Sequence, residues 1–216
     1  ISELLAMYNA SDFLDAHENI IQRGMTTNGY FAAKLSTGRG GFEQMAELLA
    51  EINKGNNEDS TTQIKSAFPN LKCIFLTRRN KVRQAVSWWK AVQTNQFVLR
   101  TGDSKVTNDG LIYNYDAISD LLQQSTIREA GWQAFFEATN VTPHTVVYED
   151  LMSDFEGTMR HLLDALDLQD TKVPSTERTV RRQSDELSSE WIERYRQEVQ
   201  KDSPNAGWHK SLTYSS

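Results

Sequence analysis

At 216 residues with a formal net charge of −6, the chain can bury one full core and needs no second domain, so 1–216 reads as a single domain with a polar tail at 201–216. That acidic balance excludes a general nucleic-acid binder, whose contact face is normally basic, but it leaves room for a small anion held by a local group of cations. The single cysteine, Cys73, excludes a disulfide framework and a cysteine-based zinc site.

No apolar run approaches the ~18 residues of a membrane span, and no signal-like segment opens the chain. A soluble, cytoplasmic protein is expected.

Residues 1–23 have helical spacing, with Leu4, Leu5, Phe13, Leu14, Ile20 and Ile21 apolar, Ser11 or Asp12 as cap and Gly24 as stop. His17 in this helix reads as an exposed or locally bonded side chain. Asn28-Gly29 marks a turn, and Tyr30-Phe31-Ala32-Ala33-Lys34-Leu35 reads as a strand. The glycine-rich turn 36–41 then precedes an amphipathic helix over 42–52. This layout suits a phosphate loop, yet it matches neither G-x-x-x-x-G-K-[ST] nor G-x-G-x-x-G, so a flexible turn is the simpler reading. The polar run 53–60 is a surface loop.

The stretch 71–94, LKCIFLTRRNKVRQAVSWWKAVQT, carries more information. Cys73-Ile74-Phe75-Leu76 reads as a buried strand that stops at Thr77-Arg78-Arg79-Asn80, where a helical period begins. At about 100° per residue, Val82, Ala85, Val86, Trp89 and Val92 share one face, and Arg83, Ser87, Lys90 and Thr94 share the opposite one. Asn80 is a good N-cap. However, Arg78, Arg79, Lys81 and Arg83 crowd the positive end of the helix dipole, which disfavours them there. An anion at that helix start would remove the conflict; the alternative is a solvated basic face screened by water.

Downstream, 101–110 is a second loop. Residues 116–138 form a long helix rich in core-type side chains, including Ile118, Ile127, Trp132, Phe135 and Phe136. Thr145-Val146-Val147 is a further strand, followed by Tyr148-Glu149-Asp150-Leu151 and an amphipathic helix with Met159, Leu162, Leu163 and Leu166. Strands alternating with helices imply a parallel α/β sheet. The segment 172–200 adds the basic cluster Arg178, Arg181 and Arg182, then Gln183 and a helix containing Ser188, Trp191, Ile192 and Tyr195. Two basic clusters in an acidic chain can converge on one polyanion or remain separate solvated surface.

Together, LTRRNKVRQAVSWWKAVQT, the Val-Tyr-Glu-Asp-Leu at 147–151 and RRQSDELSSEWIERYR at 181–196 resemble sulfotransferases, in particular the bacterial trehalose 2-sulfotransferase-like family that sulfates glycolipids. The resemblance runs from about Asn28 to Gln197. It implies an α/β, P-loop-like three-layer fold with a mainly parallel sheet flanked by helices. It also implies sulfuryl transfer from 3′-phosphoadenosine 5′-phosphosulfate (PAPS) to a carbohydrate or glycolipid hydroxyl, without a metal. By the same resemblance, Arg78 or Arg79 and Ser87 hold the 3′-phosphate. Arg79 has the eight-residue spacing to serine common in other sulfotransferases.

Arg182 and Gln183 match the late segment that closes over the nucleotide, with Arg181 beside them, and Trp88, Trp89 and Gln93 lie towards the acceptor. Family members can be homodimers. The family's phosphosulfate loop and its glutamate base lie upstream of the matched part, and neither is found before Asn28. Missing amino-terminal residues are therefore expected, the alternative being a catalytically inactive nucleotide-binding homologue. A kinase-like use of Gly38–Gly41 is a further rival.

Overall fold

The computed structural model describes residues 9–35, 62, 68–97, 108–173 and 186–202. Two compact units divide the chain: residues 1–73 with 131–143, and residues 74–130 with 144–216.

In the first unit, α1 spans Phe13–Gly24. Asp12 caps it by accepting the Asp15 N–H at 3.0 Å, so one of the two cap candidates is selected. Gly24 is its last residue, and the Phe31 ring packs closely there, since a Cβ on Gly24 would lie 2.6 Å from it. The Asn28-Gly29 turn forms with Gly29 at φ +82°, a left-handed conformation that glycine adopts without penalty. The expected strand 30–35 is reduced to a single antiparallel bridge, Met25↔Phe31. Apolar residues alone do not make a strand: residues 32–35 find no ladder partner among the described residues, and the Phe31 ring stacks on Phe68 instead. His17 also lies against Phe68. Its Nε2 is buried without a partner, and burial lowers its pKa.

In the second unit, β1 (Ile74–Thr77) and β2 (His144–Val147) pair in parallel, with Ile74 opposite His144 and Thr77 opposite Val147. The expected α/β pairing is therefore present, as a two-stranded sheet among the described residues. The expectation that β1 is buried needs correction. Side chains alternate along a strand, and the Ile74 and Leu76 face is open, with Leu76 60% exposed. Cys73 precedes the strand and is half-buried, and burial raises its thiol pKa.

Helix α2 (Lys81–Thr94) follows β1, and α3 (Tyr115–Thr139) continues the crossover, its first part belonging to this unit. After β2 come α4 (Tyr148–Ser153), α5 (Phe155–Ala165) and, later, α6 (Glu186–Asp202). The amphipathic helix expected after Tyr148-Glu149-Asp150-Leu151 is α5, and the motif itself adds the short helix α4, which the sequence pattern does not show. Asp154 separates the two, and its carboxylate caps α5 by accepting the Gly157 N–H at 2.9 Å.

The core joins Val82, Ala85 and Val86 of α2, Ile118 of α3, and Trp191, Ile192 and Tyr195 of α6. The wheel for α2 thus holds over its first two turns, with Trp89 packed beside the cluster. It fails at Val92, which sits at the rim of the stripe and is 48% exposed, while Ala91 is buried. Lys90, next to Ala91, donates to Ser188 of α6 at 3.3 Å, so the polar side of the helix is covered there as well. Ile127 was expected in the core and is also exposed. No described helix is long and apolar enough to cross a membrane.

Candidate functional site

Parallel pairing of Thr77 with Val147 brings both strands to their carboxyl ends at the same level. Arg78 and Tyr148 therefore start the two following segments side by side. Such ends are where open α/β sheets usually receive ligands.

Three consecutive residues of α4 each hold one part of the Arg78-Arg79-Asn80 turn. The Arg78 guanidinium lies 3.9 Å from the centre of the Tyr148 ring, a cation–π contact. Glu149 accepts two consecutive backbone amides, Arg79 N–H at 2.9 Å and Asn80 N–H at 3.3 Å. Asp150 receives the Arg79 guanidinium on both oxygens, at 3.0 and 2.8 Å. That last pair is open to water, with side chains 61% and 56% exposed, so it is worth about 0–1 kcal/mol. Among the described residues, Arg78 has no carboxylate within ion-pair distance.

The dipole conflict read from the sequence is thus answered within the chain. Asn80 caps α2 through the Arg83 N–H at 2.9 Å, and the first turn of α2 has no acidic residue. The anion that faces this end is the Glu149 carboxylate. Burial alone would raise its pKa, but the amides of Arg79, Glu149 itself and Asn80, together with the Arg78 charge, hold it below the usual carboxylate value.

A second arrangement fixes Lys81. Its ammonium pairs with Glu129 of α3 and donates to Thr77 Oγ1 at 2.9 Å, and Thr77 Oγ1 donates to Glu129 at 2.5 Å. Here too burial opposes the charge, and the Lys81 and Thr77 hydrogen bonds overcome it, lowering the Glu129 pKa. Two of the cations in the turn therefore have carboxylate partners, and Arg78 rests on a ring.

Lowered folded-state pKa values at Glu129 and Glu149 have a defined consequence for stability. The unfolded chain takes up these protons at higher pH than the folded one. The stabilisation is complete above the ordinary carboxylate pKa and is lost as pH falls through the two folded values. Urea unfolding between about pH 7 and pH 3 should show this acid-side loss, and the double variant Glu129→Gln/Glu149→Gln should show a flatter profile.

Ser87 lies about two turns into α2, and its hydroxyl makes no hydrogen bond to another described side chain or backbone group. Lys90, one turn further along the same face, donates to Asn108 at 3.1 Å as well as to Ser188. Trp88 lies beneath the Arg128 guanidinium at 4.8 Å. Trp89 and Gln93 grip the Ile112 backbone: Trp89 Nε1 donates to its carbonyl at 2.8 Å, Gln93 Nε2 donates to the same oxygen at 3.2 Å, and Gln93 Oε1 accepts the Ile112 N–H at 2.8 Å.

Arg182, Gln183 and their neighbour Arg181 lie outside the described residues, as do the glycine-rich turn and residues 101–107. The helix after Gln183, α6, packs on α2. Sequence reasoning gave no role to Tyr148, Glu149, Asp150, Thr77 or Glu129. One signal was present: parallel strands place the residues after β2 beside those after β1, which sets Glu149-Asp150 against Arg78-Arg79.

The fold defines an α/β protein with a cation-lined turn at the carboxyl ends of two parallel strands. The chain belongs to the Stf0 sulphotransferase family, whose model matches residues 6–198. That match reaches well upstream of Asn28, where the motif resemblance begins. The trehalose 2-sulfotransferase of Mycolicibacterium smegmatis is 32% identical over 184 residues, covering 83% of this chain and 65% of that protein. The trehalose 2-sulfotransferase of Mycobacterium tuberculosis is 27% identical over 183 residues, covering 84% of this chain and 66% of that protein. The chain thus spans about two thirds of the length of these relatives.

Proposed function

We propose that the chain is a sulfotransferase that moves a sulfuryl group from PAPS to a carbohydrate or glycolipid hydroxyl, in a P-loop-like three-layer domain working in the cytoplasm. The observation that carries this reading is the Arg78-Arg79-Asn80 turn, braced by Tyr148, Glu149 and Asp150 at the start of the Ser87 helix, in a chain of the Stf0 family.

Arg79 and Ser87 grip the 3′-phosphate, and Arg78 supplies a second cation. The donor set fits that group: a guanidinium fork matches phosphate oxygens, and the exposed Asp150 pair costs little to exchange for a phosphate. The Arg79 and Asn80 amides are already taken by Glu149, so side chains rather than these amides meet the ligand. Arg182 and Gln183 close over the nucleotide in this reading. The acceptor lies towards Trp88, while Trp89 and Gln93 shape that side by holding Ile112.

When bound, PAPS supplies the sulfuryl group and a phosphate leaving group. The chain's part is to fix the nucleotide so that the acceptor hydroxyl approaches in line, and to neutralise charge without a metal. Incubating the protein with sulfur-labelled PAPS and trehalose, glucose or a glycolipid tests the reading. Label should move to a sugar acceptor; hydrolysis or retention of the donor with every sugar would contradict it.

A further inference from the structure

We propose that Glu149 is a positioning residue for the 3′-phosphate grip, setting the direction of Arg79 by pinning the peptide planes on both sides of it. The inference rests on the proposed reading of Arg79 and Ser87 as that grip. A peptide unit is planar, so fixing its N–H direction fixes the whole unit. Glu149 Oε2 holds the N–H of the plane between Arg78 and Arg79, and Oε1 holds the N–H of the plane between Arg79 and Asn80. The Arg79 Cα lies between two planes tied to one carboxylate. Its φ and ψ are thereby set, and with them the Cα–Cβ direction along which the guanidinium leaves the turn.

The same contact fixes the entry to α2. Asn80 is the N-cap, and its own side chain is used on the Arg83 N–H. No acidic residue of the first turn can replace Glu149. Glu149 itself is placed by the register of the sheet, because it lies two residues beyond Val147, which pairs with Thr77. One carboxylate on the neighbouring segment thus connects the sheet, the basic turn and the serine-bearing helix. The contact also determines which groups remain for a ligand. With the amides satisfied internally, affinity for a 3′-phosphate depends on where the arginine side chains point.

The test compares adenosine 3′,5′-bisphosphate with adenosine 5′-monophosphate by calorimetry on the full chain, for the wild type, Glu149→Gln and Glu149→Asp. Glutamine keeps one acceptor but turns an NH₂ towards the second amide; aspartate keeps the charge on a shorter arm. The expected result is that Glu149→Gln weakens bisphosphate binding by about tenfold or more and changes monophosphate binding by less than about twofold, with Glu149→Asp in between. A wild-type ratio of affinities in Glu149→Gln, or an equal loss for both ligands, would overturn the proposal and leave Glu149 a packing residue. If Glu149→Gln does not fold, the same ratio read in Glu149→Asp decides. A wild type that does not distinguish the two nucleotides would instead remove the grip itself, and the positioning role with it.

Discussion

Replacing Arg78 and Arg79 together by alanine is expected to weaken adenosine 3′,5′-bisphosphate binding by about 100-fold or more, because hydrogen bonds to charged groups contribute about 1.5–3 kcal/mol each. Binding of the 5′-monophosphate should change by less than about twofold, since that ligand lacks the phosphate the pair is assigned to hold. Of the single variants, Arg79→Ala should carry the larger loss. Arg79 has the eight-residue spacing to Ser87, and its pair with Asp150 is exposed enough to yield to a ligand. Folding should survive the double change. The exposed ion pair and the Arg78–Tyr148 contact are each worth only about 1 kcal/mol or less, so lost affinity and lost structure can be told apart by thermal unfolding. Equal weakening of both nucleotides would point to general charge attraction rather than a grip.

Trp191→Ala should be the most destabilising single change in the second unit, costing about 3–5 kcal/mol by urea unfolding. Trp191 is nearly fully buried, meets the Tyr113 ring edge-on at 5.9 Å between centres, and lies in the cluster that joins α2, α3 and α6. Truncation would remove a large apolar surface and leave a cavity among residues that cannot easily close on it. Domain stability is commonly about 5–15 kcal/mol, so the loss would take a large share of the total. Because α6 also brings Ser188 to Lys90, one turn beyond Ser87, nucleotide affinity should fall along with stability. Trp132→Ala gives the comparison: Trp132 is only part-buried against Phe135 and Phe136, and its loss should cost less.

The parts of the fold that were legible are those governed by local rules. Asp12 and Asn80 both cap their helices, Gly24 ends α1, and β1 and β2 form within a residue of the expected positions. Helical periodicity located Val82, Ala85 and Val86 because the partner surface runs along that stripe. It misplaced Val92 and Ile127, since a wheel shows which residues share a face but not how far the covering elements extend. Residues 30–35 failed for a related reason: strand character in the sequence does not supply a neighbour to pair with.

At the site, the sequence located the basic turn but not its bracing. The crowding of Arg78, Arg79, Lys81 and Arg83 at a helix start is a problem in electrostatics, which the sequence leaves to either an outside anion or screening water. The chain provides Glu149 for the amides, Asp150 for Arg79 and Glu129 for Lys81, from positions about 50–70 residues away. Such partners follow from strand order and register, which a local reading does not contain. Among the described residues, Arg78 has no carboxylate partner and Arg79 sits in an exposed pair with Asp150; these two and the Ser87 hydroxyl are the groups proposed to meet the ligand.

The measurement that bears most directly on this account is a calorimetric titration of the chain with adenosine 3′,5′-bisphosphate, adenosine 5′-monophosphate and ATP. A grip built for a 3′-phosphate predicts binding of the bisphosphate at least about tenfold tighter than either of the others. Tight ATP binding with weak or absent bisphosphate binding would contradict it, and with it the sulfuryl-donor site proposed for this protein.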